Sequence, residues 1–215
     1  MIVGAGGHGR ETLDVVDAIN AAHPDDHPFE VLGVVADHAD QDLLARRGAI
    51  HLGRVDDLLD GRLDSVPAAA VYVLAIGDPR SRRALADRLA ETAHRAAPAL
   101  VHPAATIGAD VRLGPGSVVA AGARITTNVD IGRFVQVNVN AVVSHDCRVG
   151  DHVTLSPGVL VNGAVTLGEG AFLGTATVVT PGHSIGAWAV IGAGAVVVAD
   201  VPAGVTARGV PARWT

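Results

Sequence analysis

His145 and Asp146 are adjacent in this 215-residue chain and are the side chains best suited to acid–base chemistry. An imidazole takes up a proton near neutral pH, and a neighbouring carboxylate can hold the ring in one tautomer and increase its basicity. Gly163 lies eighteen residues further on, and its backbone amide could donate a hydrogen bond to a developing oxyanion. These residues predict a general base beside an oxyanion donor. The competing interpretation is an exposed histidine that occupies a turn and has no catalytic role.

A glycine-rich loop at residues 4–9, with the sequence Gly-Ala-Gly-Gly-His-Gly, is the second candidate site. It follows a predicted strand and opens a predicted helix, and in that position glycines let the backbone approach a pyrophosphate at the helix N-terminus. Asp37 and Gly77 end the second and third predicted strands, so both are expected at the rim of the same site. A glycine turn without a ligand and a solvated helix cap at Asp37 are the competing interpretations.

The second half of the chain, which must position His145, has a period of six. Every sixth residue from Ile107 to Val197 is Leu, Ile or Val, without an insertion. A small residue usually lies two positions before each aliphatic, and Gly, Asn, Ser or Thr usually follows it. This period fits neither an α-helix nor one long strand, but it is the signature of a stacked parallel β-helix. Three hexapeptides make one coil, so residues eighteen apart stack, which places Gly163 next to His145 at about 4.8 Å.

The same register assigns the neighbouring residues. His145 lies two positions beyond an inward aliphatic and is therefore expected at a corner, facing outward. Cys147 falls in the inward column of small residues, so we expect it to be buried and not a nucleophile. Gly and Asn among the turn-formers are expected to provide the positive φ angles that the corners need.

The first hundred residues alternate predicted strands with predicted helices, which indicates a small parallel sheet with right-handed crossovers. The predicted strands are Met1–Val3, Phe29–Val35 and Val71–Ile76, with a weaker candidate at Ala49–Leu52. The predicted helices are Glu11–Asn20, Asp40–Arg47 and Arg80–Arg95. Three strong strands are half of a dinucleotide-binding fold, which favours a nucleoside diphosphate carrying a sugar over NAD. We therefore expect an α/β half-Rossmann-like domain at residues 1–98, followed by an all-β parallel β-helix at residues 99–215.

Composition limits the partners of the chain. The net charge of −6 argues against nucleic acid and against an anionic membrane surface as partners. No apolar run is long enough to span a membrane. A single cysteine excludes an internal disulfide and suits a reducing cytoplasm. The histidines and the cysteine show no zinc-ligand spacing, so we expect no metal and a cytoplasmic location.

Four motifs together resemble those of one family. They are the glycine loop at 4–9, Val-Ser-His-Asp-Cys at 143–147, Leu-Ser-Pro-Gly at 155–158 and Gly-Val-Pro-Ala-Arg at 209–213. The set is similar to motifs of the bacterial hexapeptide-repeat sugar acetyltransferases. The branch concerned acetylates nucleotide-linked amino sugars, and its members are often described as sialic acid O-acetyltransferases. The resemblance covers nearly the whole chain.

The resemblance implies a left-handed β-helix, a homotrimer, and acetyl-CoA bound in the groove between adjacent β-helices. His145 is then the general base, and Asp146 is the residue that increases its basicity. The residues implied to bind the sugar nucleotide are Gly6, Gly7, His8, Asp37 and Gly77. The residues implied to bind acetyl-CoA are Thr154, Gly163, Thr175 and Ala193. Thr154 departs from the family pattern, which often has a histidine at that position.

The function that these motifs favour is direct, acetyl-CoA-dependent N-acetylation of a nucleotide-linked amino sugar. An O-acetyltransferase of sialic acid or another free sugar would use the same base on a hydroxyl group. Nucleotide binding by the glycine loop separates these two functions. A non-catalytic β-helix that binds nucleotide sugars is the alternative from another class of protein, and it predicts no acetyl-CoA binding.

Overall fold

The structure, a computed structural model, describes residues 1–214. It separates into two compact units, Met1–Ala97 and a second unit that begins at Pro98. Within residues 1–214, no helix combines the length and the apolar character needed to cross a bilayer. The same residues contain no group of three or more His, Cys, Asp or Glu side chains arranged to hold a metal ion.

The first unit is built on a five-stranded parallel sheet with the order β3-β2-β1-β4-β5. Its strands are β1 (Ile2–Val3), β2 (Val34–Val35), β3 (His51–Gly53), β4 (Val71–Leu74) and β5 (Arg95–Ala96). Its helices are α1 (Gly7–Ala22), α2 (Gln41–Ala45), α3 (Val55–Leu59) and α4 (Pro79–Leu89). Because β2 and β4 pair with opposite edges of β1, the strand order reverses at β1. In open α/β sheets such a switch point is where ligands bind, outside the carboxyl ends of the strands.

Local signals explain why α1 and α4 form where they do. Leu13, Val16 and Ile19 recur at helical spacing and are buried. Burying an aliphatic side chain of this size contributes about 1.5–3 kcal/mol relative to leaving it exposed. In α4, Asp78 is the N-cap and its carboxylate accepts a backbone hydrogen bond at 2.7 Å, while Pro79 occupies the first turn. Packing of α1 and the cap of α4 hold the loops that precede these helices.

The helices of the first unit differ in extent from the prediction. α1 begins at Gly7, before the predicted Glu11, so the last three residues of the glycine loop belong to the helix. α4 ends at Leu89 and does not reach Arg95, because β5 pairs there with β4. The strand predicted at Phe29–Val35 is limited to β2. The sheet is therefore wider than the three predicted strong strands: β3 overlaps the weaker candidate at Ala49–Leu52, and β5 was not predicted.

The second unit is a parallel β-helix whose strands fall into three sheets. The six-stranded sheet contains β7 (Thr106–Ile107), β10 (Arg124–Ile125), β13 (Val142–Val143), β16 (Leu160–Val161), β19 (Val178–Val179) and β22 (Val196–Val197). The five-stranded sheet contains β8 (Val111–Leu113), β11 (Val129–Ile131), β14 (Arg148–Val149), β17 (Thr166–Leu167) and β20 (Ser184–Ile185). The seven-stranded sheet contains β6 (Leu100–Val101), β9 (Val118–Val119), β12 (Gln136–Val137), β15 (Thr154–Leu155), β18 (Phe172–Leu173), β21 (Val190–Ile191) and β23 (Thr206–Ala207).

Stacking of the coils follows the predicted register of eighteen residues. Ile125 pairs with Ile107 on one side and with Val143 on the other. The column continues through Val161 and Val179. Val143 and Val179 are fully buried, whereas Ile107 at the end of the stack is 38% exposed. The aliphatic column therefore fills the interior, and the predicted β-helix is confirmed.

The corners of the β-helix use left-handed residues, but not at the predicted position. Asn128, Asn140 and Asp146 have φ angles of 57°, 58° and 61°, and each lies three positions after an inward aliphatic. The turn-formers that directly follow the aliphatics do not have positive φ angles, so that part of the prediction is wrong. At one of them, Gly114, an added Cβ would lie 2.5 Å from the carbonyl carbon of Gly132. A bare α-carbon is needed there because the next coil approaches closely.

Candidate active site

His145 lies at a corner of the β-helix, in the turn that leads from β13 to β14. This turn connects the six-stranded sheet to the five-stranded sheet. The side chains of His145 and Asp146 are 61% and 52% exposed, so both are accessible to a ligand. The structure therefore places the pair at an outward-facing corner.

The imidazole and the carboxylate form a hydrogen bond of 2.7 Å between His145 Nδ1 and Asp146 Oδ2. A carboxylate can only accept a hydrogen bond, so Nδ1 is the donor, and in the neutral ring the lone pair is then on Nε2. This hydrogen bond, together with one from Asn128, lowers the pKa of the Asp146 carboxyl group. Asp146 therefore stays ionised and remains an acceptor for the proton on Nδ1.

Gly163 lies one coil further along the β-helix and packs against the His145 ring. The two coils are in register because β13 pairs with β16, and Ala164 N donates to the His145 carbonyl oxygen at 2.8 Å. A Cβ added at Gly163 would lie 2.5 Å from Cε1 and 2.7 Å from Nε2 of His145. The φ angle of Gly163 is not in the left-handed range. The ring, and not the backbone conformation, therefore requires a glycine at this position.

The backbone amide of Gly163 has no protein acceptor within residues 1–214. Free amides recur two positions after an inward aliphatic, since those of Thr127 and Thr175 also lack a protein acceptor among the described residues. Gly163 differs because the base packs directly on it. An oxyanion that forms near His145 Nε2 could therefore accept a hydrogen bond from the Gly163 amide.

Cys147 is 1% exposed, in agreement with its predicted inward position. Its Sγ lies 3.1 Å from the carbonyl oxygen of Asn162, and burial raises the pKa of its thiol. The nucleophilic form of cysteine is the thiolate, so a buried and protonated thiol is a poor acyl acceptor. The site therefore favours direct transfer over a covalent acyl-cysteine.

We expect Cys147→Ala to retain kcat within about twofold, because the thiol takes no part in direct transfer. The free energy of unfolding should fall by about 1 kcal/mol, since alanine removes buried contacts and a weak hydrogen bond. Steady-state kinetics and denaturant unfolding measure these two effects. Loss of turnover in a folded Cys147→Ala variant would reopen the covalent route.

The glycine loop joins β1 to α1, and its glycines have different environments. An added Cβ would lie 2.6 Å from the Ala75 carbonyl oxygen at Gly4, and 2.1 Å from the Gly4 carbonyl oxygen at Gly9. Packing therefore requires both of these glycines. At Gly6 an added Cβ would meet nothing within 4 Å, and at Gly7 its nearest neighbour would be 4.0 Å away. Gly6 and Gly7 thus leave bare backbone at the N-terminus of α1, which has no side-chain cap and favours an anion.

The glycine loop, Asp37 and Gly77 meet at one edge of the parallel sheet. They follow β1, β2 and β4, which are neighbours and run parallel. Asp37 accepts a hydrogen bond at 3.2 Å from Val55 N, the first backbone amide of α3. An added Cβ at Gly77 would meet nothing within 4 Å. The Gly77 carbonyl accepts a hydrogen bond from Arg82 at 3.1 Å, which ties this rim to α4.

His8 occupies the first turn of α1, directly after the two open glycines. Its Nδ1 lies 3.3 Å from Glu11 Oε2, and its side chain is 20% exposed. Thr12 Oγ1 donates to the His8 carbonyl oxygen at 2.9 Å. His8 is therefore held at the helix N-terminus with part of its ring accessible.

The residues predicted to contact acetyl-CoA occupy different places. Thr175 and Ala193 are exposed and eighteen residues apart, so they share a corner. That corner precedes the six-stranded sheet, whereas the corner of His145 follows it. Thr154 is 3% exposed, so its side chain is buried and its contact with the coenzyme stays a prediction. Within one chain, Gly163 thus lies beside the base, while Thr175 and Ala193 lie on the opposite side of the six-stranded sheet from His145.

Asn128 belongs to the site, although the sequence motifs do not single it out. Its Nδ2 donates a hydrogen bond to Asp146 Oδ1. A signal was present, because Asn128 precedes Asp146 by eighteen residues, the spacing that also relates His145 to Gly163. Applying the coil register to Asp146 as well as to His145 would have found it.

A base in one fixed tautomer, packed on a backbone donor at a β-helix corner, suits the transfer of an acyl group to a nucleophile. The fold and the site together define a hexapeptide-repeat acyltransferase. Residues 1–89 match the PglD N-terminal domain family. No curated protein sequence matches the chain.

Solved structures match the whole chain. PerB from Caulobacter crescentus, in complex with CoA and GDP-perosamine, is 35% identical, with a TM-score of 0.85 over 100% of this chain and 95% of that one. A variant of perosamine N-acetyltransferase from the same organism, with the same ligands, is 32% identical, with a TM-score of 0.85 and the same coverage. The acetyltransferase domain of PglB from Neisseria gonorrhoeae, in complex with acetyl coenzyme A, is 28% identical, with a TM-score of 0.84 over 100% and 97% of the two chains.

The chain belongs to the hexapeptide-repeat sugar acetyltransferase family, as its motifs predicted. Its second unit is accordingly a left-handed parallel β-helix, which follows an α/β unit. Membership gives the handedness of the coil, which the six-residue period does not contain.

Proposed function

We propose that the chain is an acetyl-CoA-dependent N-acetyltransferase that acts on a nucleotide-linked amino sugar. The observation that carries this proposal is the His145–Asp146 pair packed on Gly163, with the lone pair on Nε2 of an exposed ring. Two similar structures, PerB and a variant of perosamine N-acetyltransferase, contain CoA and GDP-perosamine, which agrees with these substrate classes.

In the proposed reaction, the sugar amine attacks the carbonyl carbon of the acetyl thioester. His145 Nε2 takes the proton that the amine loses as the C–N bond forms. The Gly163 amide stabilises the negative charge on the carbonyl oxygen of the tetrahedral intermediate. The C–S bond then breaks, the leaving CoA thiolate takes the proton back from the His145 imidazolium, and the sugar keeps the acetyl group. Binding the amine and the thioester next to each other supplies much of the remaining acceleration.

The α/β unit binds the nucleotide of the acceptor in this proposal. The diphosphate lies at the N-terminus of α1, where the bare backbone of Gly6 and Gly7 and the positive end of the helix favour an anion. His8, Asp37 and Gly77 complete the rim at the carboxyl ends of the strands.

Nucleotide binding at the glycine loop is tested with UDP, GDP and CMP. A nucleotide at about a hundred times its Kd should raise the free energy of unfolding by about 2.7 kcal/mol, which appears as a higher Tm. Gly7→Glu should abolish this shift, because a carboxylate at the N-terminus of α1 stabilises the helix but repels a diphosphate. The absence of a shift with every nucleotide, or an equal shift in Gly7→Glu, would contradict the assignment of the loop.

We also propose that the β-helices form a homotrimer with acetyl-CoA in the groove between neighbouring chains. Thr175 and Ala193 lie at a different corner from His145, and a groove between two chains could bring these corners together. The outward residues of β13, β16, β19 and β22 are Val or Leu, and Leu160 among them is 41% exposed. A second copy of the chain would cover this apolar face. Sedimentation equilibrium tests the proposal, and a monomer at micromolar concentration would contradict it.

A further inference from the structure

Asn128 lies one coil before Asp146, in the same corner column of the β-helix. Its Nδ2 donates to Asp146 Oδ1, while Asp146 Oδ2 accepts from His145 Nδ1 at 2.7 Å. Each oxygen of the carboxylate thus has its own donor. The carboxylate cannot rotate about its terminal bond without breaking one of these hydrogen bonds.

The fold does not need an asparagine at position 128. The position is left-handed, with a φ angle of 57°, but the same column contains Ala164 with 57° and Gly182 with 76°. Neither of these residues has a side-chain amide. Asn128 is also exposed, so its side chain is not needed for core packing. The contact that distinguishes it is the one with Asp146.

We propose that Asn128 is a positioning residue that holds Asp146 and, through it, the tautomer of His145. The inference rests on the proposed function, in which Nε2 of His145 is the base. While Asn128 holds the carboxylate, Nδ1 keeps its proton and Nε2 keeps its lone pair. Without the amide, the carboxylate can turn away, and the ring then has its lone pair on Nε2 for only part of the time.

The test uses Asn128→Gly, which removes the amide and keeps a residue that adopts a positive φ without strain. We expect kcat to fall about fivefold, the effect of losing one hydrogen bond to a charged group at an exposed site. KM for acetyl-CoA and for the amino sugar should change less than about twofold, since the amide acts only through Asp146. In an Asp146→Asn background the same change should have no further effect, because the carboxylate that it holds is absent.

Nuclear magnetic resonance of ¹⁵N-histidine-labelled protein provides a readout that does not depend on turnover. The His145 signals, assigned by their loss in His145→Ala, should show the Nδ1–H tautomer in the wild-type chain and a mixture of tautomers in Asn128→Gly. Asp110→Gly is the matched control, because it removes a side chain at the left-handed position one coil further away, where φ is 53°. It should leave both kcat and the tautomer unchanged.

Wild-type kcat together with a wild-type His145 tautomer in Asn128→Gly would overturn the inference. So would an additive loss of kcat in the variant that combines Asn128→Gly with Asp146→Asn, which would show that Asn128 acts by another route. If the wild-type chain acetylates no amino sugar, the proposed function fails. The tautomer measurement still decides the role of Asn128 in that case.

Discussion

Replacing His145 by alanine is expected to lower kcat by about 10²–10⁴-fold, the range that a positioned general base contributes. The change removes Nε2, whose lone pair is kept available by the hydrogen bond from Nδ1 to Asp146. Acetyl-CoA should still bind, because the proposed role of the exposed ring is to accept the proton of the amine and not to bind the coenzyme. Initial rates of CoA thiol release and calorimetric titration with acetyl-CoA measure the two effects separately.

The matched control for this prediction is His183→Ala. His183 Nδ1 lies 3.4 Å from Asp200 Oδ1, so it is a second histidine–aspartate pair on the same β-helix. Its replacement should leave kcat unchanged, because the three atoms nearest to a Cβ added at Gly163 all belong to His145. Turnover at the wild-type rate in a folded His145→Ala variant would remove this histidine from the mechanism.

Gly163→Ala is expected to lower kcat by roughly 10²-fold, the cost of displacing a catalytic group by about 1 Å. The added Cβ would lie 2.5 Å from His145 Cε1 and 2.7 Å from Nε2, so the ring has to move away from its present position. The free energy of unfolding should change little, since the φ angle of Gly163 suits alanine and the displaced ring can move into solvent. Steady-state kinetics with thermal unfolding as a control measures both.

A double variant shows how Gly163 acts. In a His145→Ala background there is no ring to displace, so Gly163→Ala should cause no further loss of kcat. A further loss would mean that the methyl group disturbs the oxyanion donor or the bound thioester independently of the base. Wild-type kcat in the single Gly163→Ala variant would contradict the contact between the ring and the glycine.

The β-helix could be predicted from the sequence because its period follows directly from stacking. An aliphatic at every sixth position from Ile107 to Val197 determines which residues face inward and which stack. This was sufficient to bury Cys147 and to place Gly163 on His145. The location of the left-handed residues could not be obtained in this way, because a glycine is compatible both with a positive φ and with a close backbone approach.

The α/β unit was harder to predict, because its additional strands are only two or three residues long. Arg95 lies within a stretch predicted as helix, yet it pairs with Val71 to form β5. Such a short strand has no periodicity of its own, since it is stabilised by hydrogen bonds to a strand distant in sequence. The glycine loop, Asp37 and Gly77 were nevertheless placed at one edge, because each follows one of the three predicted strong strands.

Some site residues could be predicted from the sequence, and others could not. His145 and Asp146 are found from their types and adjacency, and Gly163 from the period. Asn128 was missed, because its role depends on a side-chain hydrogen bond between coils that no motif contains. The burial of Thr154 likewise could not be read from its column, which faces outward in a regular β-helix.

The most direct test of the proposed function is an acetyl-transfer assay with the full chain. The chain is incubated with acetyl-CoA and a panel of nucleotide-linked amino sugars, together with the corresponding sugars that have a hydroxyl group in place of the amine and with free sialic acid. With at least one amine acceptor, we predict that CoA thiol is released in the same amount as N-acetylated nucleotide sugar is formed. With the hydroxyl counterpart of that acceptor, we predict no thiol release. The proposed function would be contradicted if none of the amine acceptors supported thiol release, or if only a free sugar hydroxyl were acetylated.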